Sequence, residues 1–216
     1  MIRAQGALVR VWKRLPARES WSARHDVDAF VNAAHDDPSA AVAMLAADPT
    51  LAAAASSWGE TGLQAASHLG HRDLIERLLE SGAEIDVFAA CAMGDQEAVR
   101  ALLPDTAPDA CGVHRLPILH FGVMSRDLAM LKALLREGIA LNPQGASLSP
   151  LHSAVAIGSV LMIRLLVAAG VDCSVADAFG ATALDWANGI EDRGSVVAVI
   201  LSGYLRRATA DLLTAG

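Results

Sequence analysis

The chain has 216 residues, of which 53% are hydrophobic, 4% aromatic and 19% charged, enough to bury one core or one continuous array of small units. Much of the apolar content is alanine, so small side chains that let helices approach closely dominate, which excludes disorder and disfavours an all-β fold. A formal charge of −7 and a pI near 5.4 give no basic surface of the kind a phosphate backbone requires, and no nucleic-acid partner is expected.

Charge is concentrated at the start. Residues 1–25 carry Arg3, Arg10, Lys13, Arg14, Arg18 and Arg24 against Glu19 alone. Arg10, Lys13 and Arg14 interrupt any apolar run a signal peptide would need, so residues 1–26 are expected to be a basic tail. Three cysteines, Cys91, Cys111 and Cys173, have no Cys-x-x-Cys spacing, which fits a reducing, cytoplasmic setting. The mean hydropathy of +0.37 is carried partly by an uncharged stretch from Gly138 to Ile163. Asn142, Pro143, Gly145 and Pro150 divide it into pieces too short for the ~20 residues of a membrane span, and none is expected.

The chain repeats itself. Thr61-Gly-Leu-Gln-Ala-Ala66, Pro117-Ile-Leu-His-Phe-Gly122, Ser149-Pro-Leu-His-Ser-Ala154 and Thr182-Ala-Leu-Asp-Trp-Ala187 align, and Phe30-Val-Asn-Ala-Ala34 and Phe88-Ala-Ala-Cys91 are partial copies. Their small residues stand at 34, 66, 90, 122, 154 and 187, in steps of 32, 24, 32, 32 and 33. An aliphatic pair follows each of the first five: Met44-Leu45, Leu78-Leu79, Leu102-Leu103, Leu134-Leu135 and Leu166-Val167. These pairs predict a second helix with its own buried stripe. Gly82, Gly138 and Gly170 then supply helix stops. The unit is therefore helix, turn, helix, glycine stop, loop.

With this period and with Ser149-Pro150-Leu151-His152-x-Ala154, Gly70-His71 and Gly82-Ala83 in phase, the chain resembles the ankyrin repeat, and in particular small bacterial ankyrin-repeat proteins. The resemblance implies an all-α solenoid of stacked helix pairs with β-hairpin fingers, over residues 27–207. Its units fall near 28–55, 56–85, 86–110, 111–143, 144–176 and 177–207, with a C-terminal tail at 208–216. The 24-residue step leaves too little chain between Leu79 and Phe88 for a finger, so one finger should be missing. Gln64 and Asp185 in place of the pattern's His, Gly62 and Ala183 in place of its Pro, and Pro117 in place of its Thr are expected to weaken local turn bonding. Asp36, Asp37 and Asp48 provide a polar first face. A closing helix from Ser195 to Arg207 is expected to cap the other end.

Carried over position by position, finger tips and exposed inner-helix edges place a partner-binding stripe on the concave side at Trp58, Glu60, His68, Leu69, Met93, His114, Leu116, Met124, Ile157 and Phe179. Aromatic anchors flanked by methionine are typical of protein interfaces. Trp186 is expected in the core. The resulting expectation is a monomeric, non-catalytic adaptor, scaffold or inhibitor that binds another protein, with no cofactor. Two alternatives stand beside it: an enzyme or thiol sensor using Cys111 and His114, and a membrane-surface protein tethered by the basic tail. His68, His71 and Cys91 can be drawn as metal ligands. His71, however, occupies the Gly-His position, and His120 and His152 the Leu-His position. There an imidazole more often satisfies turn amides, and no metal is expected.

Overall fold

The computed structural model describes residues 25–191 and 196–214. The basic segment 1–24 and Ser195 lie outside them. The described residues form twelve α-helices and no sheet, in two compact units that divide between Thr106 and Ala107. Most of the helices are seven to ten residues long, too short to persist alone in water, so tertiary packing must hold them.

In the first unit, α1 (His25–Asp36), α3 (Gly62–Leu69) and α5 (Val87–Met93) form an inner layer, while α2 (Pro38–Ala47) and α4 (Arg72–Glu80) form an outer one. The helix α6 (Gln96–Leu102) packs on α5. Phe30, Val31 and Ala34 of α1 and Leu63, Ala65 and Ala66 of α3 are buried in the inner layer, where the two helices pack, and Leu45, Leu74, Ile75 and Leu78 are buried on the outer one. Short polar side chains start the helices: Asp37 accepts the Ala40 N–H at 3.1 Å and Asp86 that of Ala89 at 2.7 Å. Gly62 is needed for packing, since a Cβ there would lie 2.5 Å from Cε1 of Phe30.

A finger runs from Ala55 to Thr61, closed by an antiparallel bridge between those residues. No such bridge occurs between α4 and α5, where the chain passes directly from one helix to the next, as the 24-residue step implies. There Arg72 Nη1 donates to the Met93 carbonyl at 2.8 Å, tying the start of α4 to the end of α5.

The second unit repeats the plan. Its inner layer is α7 (Ile118–Met124), α9 (Pro150–Ala156) and α11 (Ala183–Glu191), and its outer layer is α8 (Leu128–Arg136), α10 (Val160–Ala168) and α12 (Val196–Thr214). Fingers close at Cys111 with Pro117 and at Ala176 with Thr182. Between them, Arg115 Nε donates to the Gly145 carbonyl and Ser147 N–H donates to the Arg115 carbonyl at 3.1 Å, joining the third and fourth loops. Gly82, Gly138 and Gly170 all have positive φ, between 73° and 96°, the left-handed conformation of a helix stop.

Three local expectations change. Gln64 and Asp185 do not weaken their turns: each accepts the N–H of its capping threonine, Thr61 at 3.0 Å and Thr182 at 2.8 Å, and receives the reciprocal bond. A carboxamide or a carboxylate at that position offers the same acceptor as an imidazole nitrogen. At Pro117 there is no N–H to accept, and His120 instead pairs through Nδ1 with Ser153 Oγ at 2.7 Å, linking α7 to α9. The closing helix continues beyond Arg207 to Thr214. It buries Ala198, Leu201 and Leu205 but leaves Val196, Val199 and Ile200 exposed.

Candidate functional site

The first-unit finger is a rigid turn. Ser56 N–H donates to the Glu60 carbonyl at 2.8 Å, Glu60 N–H to Ser56 Oγ at 3.1 Å, and Ser57 N–H to the buried Asp28 carboxylate of α1 at 2.6 Å. Its tip carries Trp58, half-buried, whose indole N–H donates to Glu60 Oε2 at 2.9 Å. Glu60 is thereby turned inward and only 3% exposed. Its other oxygen, Oε1, faces two imidazoles: His35 Nε2 at 3.1 Å and His68 Nε2 at 3.7 Å. Burial opposes protonation of His35, but the hydrogen bond to Glu60, that carboxylate's charge and the Val31 carbonyl together outweigh it and raise the imidazole above its ordinary 6.5. The His35 and His68 rings lie 5.0 Å apart, tilted.

The second-unit finger from Ala176 to Thr182 is built around Asp177. Its Oδ1 accepts the N–H groups of Phe179 and Ala181, both at 2.9 Å, and its Oδ2 accepts the Trp186 indole N–H at 2.9 Å. Trp186 is accordingly half-buried beneath the finger rather than deep in the core, its ring edge-on to His152 at 5.1 Å. Phe179 stands at the tip, 54% exposed.

The stripe expected from the sequence divides into two groups. Phe179 is exposed, while Trp58, Met93, His114 and Ile157 are half-buried. Glu60, His68, Leu69, Leu116 and Met124 are buried and present no side chain to a partner. Among the histidines, His71 Nε2 reaches the His35 carbonyl at 3.5 Å rather than joining His68 and Cys91. Cys91 is fully buried, and that burial, with the charge of Asp86, raises its thiol to about 12. Sequence reasoning passed over Asp177, Asp28 and His35. Asp177 signals itself only as an acid in a finger turn, Asp28 only as an acid in the first turn of α1, and His35 only as a histidine one place beyond the repeated alanine at 34.

The alternative built on Cys111 and His114 also meets its geometry here. Burial pushes the Cys111 thiol up, Arg115 pulls it down, Asp109 pushes it further up, and the net direction is upward. A nucleophilic cysteine needs the opposite shift. His114 and Arg115 both have positive φ, 56° and 58°, on the short turn between Val113 and Arg115. No helix among the described residues is long and apolar enough to cross a membrane.

In each unit, helix pairs in two layers, with hairpin fingers leading into inner helices and glycine stops after outer ones, define a helical-repeat protein. The ankyrin repeat family model matches residues 58–89 and 148–178, one stretch in each unit. The chain carries ankyrin repeats over those residues. It is also similar, at 32% identity over 97 residues, to the palmitoyltransferase AKR1 of Lachancea kluyveri. That match takes in 42% of this chain and 13% of the relative, so the chain spans only a small part of the relative's length. Ankyrin repeats indicate a protein-interaction module.

Proposed function

We propose that the chain is a non-catalytic adaptor, scaffold or inhibitor, monomeric and cytoplasmic, that binds a protein partner through its finger tips and the adjoining inner-helix edges. The carrying observation is Phe179: a large aromatic ring held out to solvent on a turn that Asp177 fixes with three hydrogen bonds. Ordering entropy is already spent in such a turn, so the ring acts as a pre-organised anchor. Trp58, fixed to Glu60 at the first-unit finger, is the second anchor, with Met93 and Ile157 as adaptable apolar contacts. The upward shift of Cys111 supports the non-catalytic part of this reading.

Affinity capture with the intact chain and with Phe179→Ala, read by mass spectrometry, tests it. A protein retained by the intact chain and lost with Phe179→Ala is the expected result. Recovery that is equal for both forms removes the finger from the binding surface.

A further inference from the structure

In the first unit three side chains from three elements converge. His35 lies in the last turn of α1, Glu60 at the base of the finger directly before the N-cap Thr61, and His68 in the last turn of α3. One ligand atom from each lies within 4.8 Å of the others. We propose that His35 Nε2, Glu60 Oε1 and His68 Nε2 bind a divalent transition metal, zinc foremost, that clamps the first finger and the first two inner helices together. The site adjoins the proposed first-unit anchor through the hydrogen bond from the Trp58 indole to Glu60, and metal binding by the chain alone is measured without any partner.

Bonds of about 2.1 Å in a tetrahedral zinc site place neighbouring ligand atoms about 3.4 Å apart. The two separations from Glu60 Oε1, 3.1 and 3.7 Å, bracket that spacing. Two imidazoles and one carboxylate favour zinc and its neighbours over calcium or magnesium, which take oxygen ligands. The surroundings orient the donors as well. His35 Nδ1 donates to the Val31 carbonyl at 2.7 Å, which leaves Nε2 as the ring atom facing Glu60 and the one a metal would take in place of a proton. The Trp58 indole holds the second oxygen of Glu60 at 2.9 Å, so the carboxylate presents Oε1 alone. Metal-ligating histidines and carboxylates are characteristically braced in this way by a second hydrogen bond.

The test uses the full chain after treatment with EDTA and dialysis. Zinc chloride alone is added, with calorimetric titration for stoichiometry and a melting curve for stability. One zinc per chain and a raised melting temperature, reversed by EDTA, are expected. His35→Gln, at a position 21% exposed, and Glu60→Gln should each weaken binding more than about tenfold. An intact chain whose melting ignores zinc overturns the proposal, and this readout stands even if Glu60→Gln fails to fold. Zinc binding that both variants leave unchanged overturns it equally.

Discussion

His152 holds two repeats together with one ring: Nδ1 accepts the Ser149 N–H at 3.1 Å and Nε2 donates to the Ala181 carbonyl at 3.0 Å, 29 residues further along. The first bond caps α9. The second pins the following finger, the one that presents Phe179. Both bonds use the neutral ring.

That arrangement sets a pH dependence. Burial lowers the His152 pKa below its ordinary 6.5, against smaller opposing effects of the Ala181 carbonyl, Asp177, Ser149 and Asp185. Between the folded and unfolded values the unfolded chain binds the extra proton, so His152 stabilises the fold fully above about 6.5 and progressively less as pH falls through its folded value. Denaturant melts of the intact chain and His152→Gln across this range should converge at the acid end. A stability difference that does not vary with pH contradicts the assignment. Glutamine is the apt replacement because Gln64 already performs the same capping for Thr61.

Two glycines are fixed by packing. A Cβ at Gly62 meets the Phe30 ring at 2.5 Å, and one at Gly122 meets Leu134 Cδ1 at 2.4 Å. Phe30 and Leu134 are themselves fully buried, so a shift of either disturbs the packing around it. Gly62→Ala and Gly122→Ala should each cost about 1–3 kcal/mol by overpacking, despite alanine's better helix propensity. Urea denaturation checks this, and an alanine variant as stable as the parent would show that these side chains can shift.

The two finger aromatics should separate in their effect on stability. Phe179→Ala removes a ring that is 54% exposed and should change stability by less than about 0.5 kcal/mol. Trp58→Ala removes a half-buried ring and the donor to buried Glu60, and should cost about 1–3 kcal/mol. Asp177→Ala strips three donors of their acceptor and should loosen the whole finger, read as faster exchange of the Trp186 indole proton.

Cys111 should react slowly. Its thiol is shifted upward by burial, so at neutral pH it carries less thiolate than a free cysteine. Alkylation of the native chain is expected to proceed no faster than that of a small thiol. Rapid, selective labelling would revive the thiol-chemistry alternative.

The period, the glycine stops and the missing finger were legible in the sequence because each is set locally, by spacing and by backbone conformation at residues such as Gly82 and Gly138. The buried state of Leu116 and Met124 was not, because it depends on how tightly neighbouring helices close over positions the pattern leaves open. Nor was the equivalence of Gln64, Asp185 and His152 as caps, which rests on acceptor geometry rather than residue type. The convergence of His35, Glu60 and His68 comes from three separate elements, and no fixed spacing announces it.

The most direct test is calorimetric titration of the captured partner into the purified chain, its Phe179→Ala form and its Leu161→Ala form. Leu161, 62% exposed on the outer helix α10, is an apolar control of similar accessibility away from the fingers. Recognition through the fingers predicts that Phe179→Ala weakens binding by tenfold or more, about 1.4 kcal/mol, while Leu161→Ala binds like the parent. The reverse order, or equal affinity for all three, would contradict recognition through the fingers.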